Sequence, residues 1–385
     1  MAIPGATFDI LEQELHVAAP YITAFGAIFM YVYAFGQLIM GVLVDRYGGY
    51  RVMLGGCTLL AIGGLLFPIT SNLPIMYLSR GLIGFGASSF YLSLIKELKN
   101  IYADKDFGIA IAIMLFIGYT GGIFANAPFV YLMRYTSWRE ILFIIAIILI
   151  IATVIFSIIL ALIPQTPINK YVVLRPTPFQ IVLHKPHNRY LFTFACCNFG
   201  ISYVIQAIIG KKFIEDFCLY STSKAAMILS IIAIVSAFFN IINASVCKFL
   251  NNKRVIFLKY ASVVTFLSLL LICIFIMFDI KTIMIAIILC IVAANASLSS
   301  LLIPVLHQTN CSRVSGTAVS IMNFCFFMMV GILGTLTGFI LKVFEPIRRG
   351  DTLVYTNNSY LLLFGTFLLL SVYEMYRAMK LSNKY

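Results

Sequence analysis

Charge is scarce in this chain, and acid scarcer still. Only 11% of the 385 residues are charged, and Asp and Glu together number 14 against 27 Lys and Arg. An ordinary soluble domain carries about 25% charged residues, so a water-soluble fold is excluded. The nine cysteines include no CxxC pair, and Cys57, Cys196, Cys197, Cys247, Cys273, Cys290 and Cys325 lie inside apolar runs, where they read as small buried hydrophobes. His16, His184, His187 and His307 fall outside the apolar runs or at their ends, without metal-ligand spacing. No metal site and no cofactor is therefore expected. Nor is there a Ser/His/Asp set, an HExxH or a pair of intramembrane carboxylates, which argues against an enzyme and leaves no catalytic residue to name. The basic excess forms no stripe with interleaved aromatics, so nucleic acid is not an expected partner.

Apolar residues are what the chain has instead: 62% of the sequence, with a mean hydropathy of +1.01. They come in runs such as Ile141–Ile163. A β-barrel strand would alternate polar and apolar residues, so the class is an all-α integral membrane protein. Because a span takes about 20 residues, the runs predict eleven helices: 20–44, 52–71, 74–96, 108–132, 140–163, 189–210, 222–250, 254–278, 281–306, 313–342 and 358–376. The proline-rich and basic stretch 164–188 reads as a cytoplasmic linker between an N-terminal bundle, 1–163, and a C-terminal bundle, 189–385.

Basic residues set the orientation. With the loop after the first span on the cytoplasmic side, seventeen of the 27 Lys and Arg fall inside, nine outside, and Arg80 within a span. The N-terminal tail, with Asp9, Glu12 and Glu14 and no basic residue, is then outside, and it has neither the basic start nor the apolar core of a signal peptide.

The first inside loop reads GVLVDRYGGYR. Gly41 permits close helix contact, Asp45 suits a helix terminus or an arginine partner, Arg46 and Arg51 supply cations, and Gly48 suits a tight reversal. An ion pair or cap at a helix junction, made in one conformation and broken in another, is what a gate latch requires. In the third span Arg80 is followed by Gly84, Ser88 and Leu92 at four-residue intervals on one face, with Tyr91 beside them. A charge there costs on the order of 2.5–3.5 kcal/mol on the insertion scale, so Arg80 must face protein or a water-filled cavity.

GxxxDRxGGxR followed by RxxxGxG in the next-but-one helix resembles the two signature motifs of the major facilitator superfamily. Ser137, Trp138 and Arg139 before a span are similar to that family's GWR, and SGTAVSIMNFCFF from Ser315 is similar to its eleventh helix. The Tyr-Ala-Phe-Gly-Gln before the loop, and Lys96 at the end of the Arg80 helix, look most like bacterial amino-acid and organic-solute permeases and lysosomal dipeptide uniporters. The loop motif departs from the pattern in having only Arg51 after its last glycine, which implies a weaker latch.

The resemblance implies two helical bundles and twelve helices. Here the loop motif follows the first span, so eleven helices correspond to twelve without the first, and PGATFDILEQELHV looks like the outer end of that helix and the loop after it. It further implies a cavity lined by Arg80, Gly84, Ser88 and Tyr91 from the fourth family helix, Asn198, Tyr203 and Gln206 from the seventh, and Asn295 and Ser299 from the tenth. An anionic or zwitterionic solute, such as an amino acid, short peptide or organic acid, suits an embedded arginine. Glu97, Glu140 and Glu374 are expected near span ends, leaving no embedded carboxylate as proton carrier. Proton coupling through the absent helix and simple facilitation both stay open. The expected partners are a small-molecule solute and the lipid bilayer of a bacterial inner membrane, and the expected state is a monomer. A sensor that no longer transports, or an inactive truncated transporter, is the alternative.

Overall fold

The computed structural model describes residues 14, 19–124, 127–133, 135–163, 168, 176–251, 253–312, 314–341, 343–345, 347–349 and 352–382. Apart from Glu14, the expected outside tail before residue 19, and most of 164–175 in the expected linker, lie outside the described residues.

Helices dominate. They are α1 (Ala19–Tyr47), α2 (Gly49–Ile69), α3 (Leu73–Ile101), α4 (Asp104–Phe124), α5 (Ala127–Leu132), α6 (Trp138–Leu162) and α7 (Pro176–His184). After these come α8 (Pro186–Val204), a π-helical turn (Ile205–Ile209), α9 (Gly210–Asp216), α10 (Thr222–Phe249) and α11 (Arg254–Met277). The last group is α12 (Met284–Ala296), α13 (Ser299–Thr309), α14 (Ser315–Leu341) and α15 (Asn357–Met379), with a small hairpin of β1 (Ile347–Arg349) and β2 (Thr352–Val354) before α15.

Nine helical runs among the described residues are long and apolar enough to cross a membrane. The expected eleven spans each fall on helix, but α3 and α4 are not among those nine. In α3 the reason is composition, since Arg80 and the buried serines Ser79, Ser88, Ser89 and Ser93 dilute its apolar character. Most of α6 is exposed and apolar, with Ile144, Ile148, Ile151, Ile155 and Ile158 among the exposed side chains, a face that only lipid can cover.

Local signals fix the helix starts. Ser137 accepts the Glu140 N–H while Glu140 reaches back to the Ser137 N–H, a capping box that begins α6. Ser221 and Thr356 cap α10 and α15 in the same way from one side, through Lys224 N–H and Ser359 N–H.

The chain divides into two compact units. The first comprises 1–103, 117–182 and 310–324. In it α2 packs along α3 and α6, α1 packs along α3, and Phe67, Met76, Phe129, Trp138 and Ile141 form a small buried cluster. The second comprises 104–116, 183–309 and 325–385. There α15 packs on α11 and α8, and α12 on α10 and α11. Its core holds a run of aromatic contacts in which Phe213 lies 4.6 Å from Phe364 and 5.0 Å from Tyr360, ring centroid to centroid.

Candidate functional site

Asp45 lies in the last turn of α1 with its carboxylate fully buried. Its Oδ1 accepts the Gly316 N–H at 3.0 Å, and its Oδ2 accepts the Thr317 N–H at 2.9 Å and the Thr317 hydroxyl at 3.2 Å. Gly316 and Thr317 open α14, so these are two of the donors that a helix start leaves unpaired, and they carry the positive end of the helix dipole. Lys96 Nζ sits 3.2 Å from Asp45 Oδ1 and also donates to the Ser312 carbonyl at 3.2 Å. One carboxylate thus joins the end of α1, the end of α3 and the start of α14.

This approach depends on two glycines. A Cβ on Gly41 would lie 2.9 Å from the Gly316 carbonyl oxygen, and one on Gly316 would lie 2.7 Å from Asp45 Oδ1. Gly48, at φ 84°, makes the reversal into α2. Of the two expected partners of Asp45, a helix terminus or an arginine, the structure gives a helix start, joined by Lys96 in place of an arginine. Arg46 lies instead over the Tyr47 ring at 5.1 Å, and Arg51 donates to the Tyr47 carbonyl at 3.3 Å.

From sequence, Glu97 is expected only near a span end. It is buried, and its Oε1 accepts the N–H groups of Gly49 at 2.7 Å and Tyr50 at 3.3 Å, so it caps α2 from α3. The signal lay in its position one turn before Lys99 and Asn100 at the inner end of α3, but nothing local shows that it faces α2.

Arg80 is buried, with its guanidinium carbon 5.1 Å from the Phe29 ring centre and 5.8 Å from that of Phe67. Its expected companions run down the seam between α3 and α1. A Cβ on Gly84 would be 2.8 Å from the Phe29 carbonyl oxygen, and Ser88, fully buried, lies against Gly36 and donates to the Phe85 carbonyl at 2.6 Å. Tyr91 is half-buried.

In the second unit the expected residues fall in a polar layer around two helix irregularities. Gln206 sits in the π-helical turn, where its Oε1 accepts from Ser236 Oγ at 3.5 Å, and half-buried Tyr203 stacks on Phe199. Between α12 and α13 the helix breaks at Ser297 and Leu298. Asn243 Nδ2 takes two of the carbonyls there, Ala294 at 3.2 Å and Ser297 at 3.0 Å, while Ser297 Oγ donates to the Ser236 carbonyl at 2.9 Å. Ser299 opens α13 half-buried. Asn295 Nδ2 reaches Thr265 Oγ1 and the Ala261 carbonyl, both at 2.6 Å, and Asn198 Nδ2 reaches Thr265 Oγ1 at 3.1 Å and Glu374 Oε1 at 3.0 Å. Asn243, Thr265 and Glu374 were not expected in this layer. The expectation that no carboxylate is embedded is overturned, because Glu374 is fully buried within α15. Its place only a few residues before Arg377 and Lys380 made it look like part of the membrane edge.

Among the described residues no group of three or more His, Cys, Asp and Glu could hold a metal ion.

Comparison with known proteins gives a consistent fold. The family model described as Major Facilitator Superfamily matches residues 1–335. The mouse solute carrier family 2, facilitated glucose transporter member 10 is 27% identical over 128 residues, 33% of this chain and 22% of that protein. A probable efflux pump, mfs2, of Aspergillus flavus is 23% identical over 133 residues, 34% of this chain and 31% of that protein. The matched stretch thus spans under a third of the length of either relative. Among solved structures, the Escherichia coli fucose:proton symporter FucP superposes with a TM-score of 0.71 at 13% identity, covering 98% of this chain and 95% of that one. A bacterial homologue of the iron transporter ferroportin, in an outward-facing state, gives 0.72 at 11% identity, covering 100% and 96%. At such identities these structures show a shared fold.

Proposed function

Because the chain belongs to the major facilitator superfamily, we propose that it carries a small organic solute across the membrane by alternating access, and that the solute is anionic or zwitterionic. The observation that carries the mechanism is the Asp45 junction. Three hydrogen bonds and a lysine converge on one buried carboxylate between the ends of α1, α3 and α14. The three bonds from α14 are made or lost as a set, since separating α14 by an ångström leaves the buried carboxylate with Lys96 as its one remaining donor. The junction is therefore a two-state element, which alternating access needs.

Arg80 supports the solute class. A planar guanidinium held between two aromatic rings presents its fork in a fixed orientation, suited to a carboxylate. In the first unit Gly84, Ser88 and Tyr91 would shape the wall nearest Arg80; in the second unit Gln206, Ser299 and the side-chain carbonyls of Asn198 and Asn295, whose amide hydrogens are already spent, are proposed as solute contacts. In this reading the bundles 1–163 and 189–385 are joined by the cytoplasmic linker 164–188, and the protein works as a monomer in a bacterial inner membrane.

The test is uptake of radiolabelled amino acids, dipeptides, organic acids and hexoses into vesicles containing the full chain. Uptake of carboxylate solutes that falls in Arg80→Lys and is abolished in Arg80→Ala is the expected result. Uptake of hexoses alone, indifferent to Arg80→Ala, would sink the solute class while leaving transport standing. A second reading, a neutral polyhydroxylated solute, is favoured by the carboxamide layer, since amides pair with hydroxyls without needing a charge.

A further inference from the structure

Four carboxylates among the described residues are deeply buried, and three have evident reasons to be there. Asp45 and Glu97 hold helix starts, and Asp216 takes the Tyr355 N–H at 2.9 Å, the Tyr360 hydroxyl at 2.9 Å and the Lys212 ammonium at 2.8 Å. Glu374 has none of these. Its Oε1 accepts one bond, from Asn198 Nδ2 at 3.0 Å, and its buried Oε2 has no hydrogen-bond partner among the described residues. It takes part in no ion pair among them.

Among the described residues, the charged side chains nearest in sequence or packing have their partners elsewhere. Arg377, one turn further along α15, turns to the Tyr190 ring at 4.6 Å and to Thr193 Oγ1 at 3.4 Å. Tyr373 lies under that same guanidinium. From α8 the Cys196 thiol, itself buried, is a titratable group near enough to act on Glu374, and it brings no positive charge. The buried polar side chains of α11 are Ser262, Thr265 and Ser268, and its Arg254 donates to the Asp104 carbonyl at 2.7 Å. Lys259 of α11 is half-buried and forms no ion pair with it. An ionised carboxylate sealed from water, with a single amide donor, is far costlier than a neutral acid in the same place.

We propose that Glu374 is a proton-binding site, protonated on Oε2 in this arrangement and releasing that proton when water reaches it. Oε1 keeps the Asn198 bond, so the extra proton belongs on the other oxygen. Release would leave a carboxylate that pulls the Asn198 amide harder. The other hydrogen of that amide is spent on Thr265 Oγ1, which also receives Asn295 two residues before the α12 break. Proton release is thereby tied to two residues read above as solute-binding. That link to transport rests on the proposed function, whereas proton binding does not.

The experiment is infrared difference spectroscopy of the full chain in lipid bilayers across a pH jump, in H2O and in D2O. The expected result is a protonated-carboxyl C=O band at neutral pH that shifts down in D2O, vanishes in Glu374→Gln, and moves to higher frequency in Asn198→Leu, which removes the bond to Oε1. Glu374→Asp, with a displaced band, serves if the glutamine variant does not fold. A wild type whose only Glu374-dependent signals at neutral pH are those of a carboxylate overturns the proposal, and so do such signals that respond to sodium rather than to pH. In the transport arm, Glu374→Gln should lose the response of uptake to an imposed pH gradient, and an unchanged response overturns the coupling. A protonated band without uptake of any panel solute would fail the transport reading and leave the proton site intact.

Discussion

Asp45 and Glu97 do the same chemical work at two helix starts, and the difference between them is reach. Glu97 caps α2 from 48 positions along the chain, while Asp45 caps α14 across 271. Removing the charge from Asp45 should therefore cost more than removing its lysine. Asp45→Asn keeps the shape, but one of its two acceptors becomes a donor facing N–H groups, and the loss should fall in the range of about 3–5 kcal/mol seen when a buried pair is broken from one side. In Lys96→Met the carboxylate still holds three bonds from α14, and the lysine side chain is 18% exposed, so the loss should be about 1 kcal/mol. Thermal unfolding of both variants in detergent checks the order, and equal losses would mean that the lysine, not the helix start, holds the carboxylate. Asp45 was legible in the sequence because a charged turn with glycines at fixed spacing is a local pattern. Its partners were not, since nothing near residue 316 announces which distant acid will meet its N–H groups. Glu374 was misjudged for a related reason: position along α15 is readable, but which face meets Asn198 and Thr265 is decided by packing.

At the scale of the elements, the spans expected from apolar runs each fall on helix, while the break between α12 and α13 is not among the sequence expectations. The sequence there is Ala-Asn-Ala-Ser-Leu-Ser-Ser, with Pro304 lying several residues beyond, inside α13. Small residues tolerate the break without causing it. What sustains it is Asn243 from α10, whose amide donates to the Ser297 carbonyl, which the missing turn deprives of a backbone N–H, and to the Ala294 carbonyl, which otherwise keeps only the Ser297 N–H at 3.3 Å. In hydrocarbon such carbonyls find no water. Asn243→Leu should destabilise the second unit by about 1–3 kcal/mol for the unsatisfied groups. Hydrogen exchange should rise first over 294–302. Ser300→Ala, which removes only a hydroxyl donated to the Asn240 carbonyl at 3.0 Å, should leave that segment nearly as protected as before. Equal exchange in the two variants would place the origin of the break elsewhere, in the pairing of Asn295 with Thr265 and Ala261.

At the scale of the whole molecule, the uneven spread of basic residues predicts which loops share a side of the membrane. The bias of basic residues puts the loop after α1, the stretch between α13 and α14, and the chain end after α15 on one side of the membrane. The cysteines offer a direct check, because they differ sharply in exposure. Cys57, Cys196, Cys197, Cys218, Cys247 and Cys273 are buried, Cys290 and Cys325 are intermediate, and Cys311 is exposed. Burial also pushes the Cys218 thiol up to about 11, which keeps it in the unreactive thiol form at neutral pH. A membrane-impermeant maleimide should therefore modify chiefly Cys311, which lies between α13 and α14 on the side assigned as cytoplasmic. Labelling is expected in inside-out vesicles, not in right-side-out ones, and should disappear in Cys311→Ser. A cysteine placed at Lys281, in the loop between α11 and α12, should behave in the opposite way, because a single membrane crossing through α12 and α13 separates the two positions. If both label from the same face, that crossing is wrong and the orientation read from the basic residues falls with it. If both label but with the faces exchanged, the crossing stands and only the orientation is inverted, which would put Asp45, Glu97 and the α14 start at the outer end of the molecule.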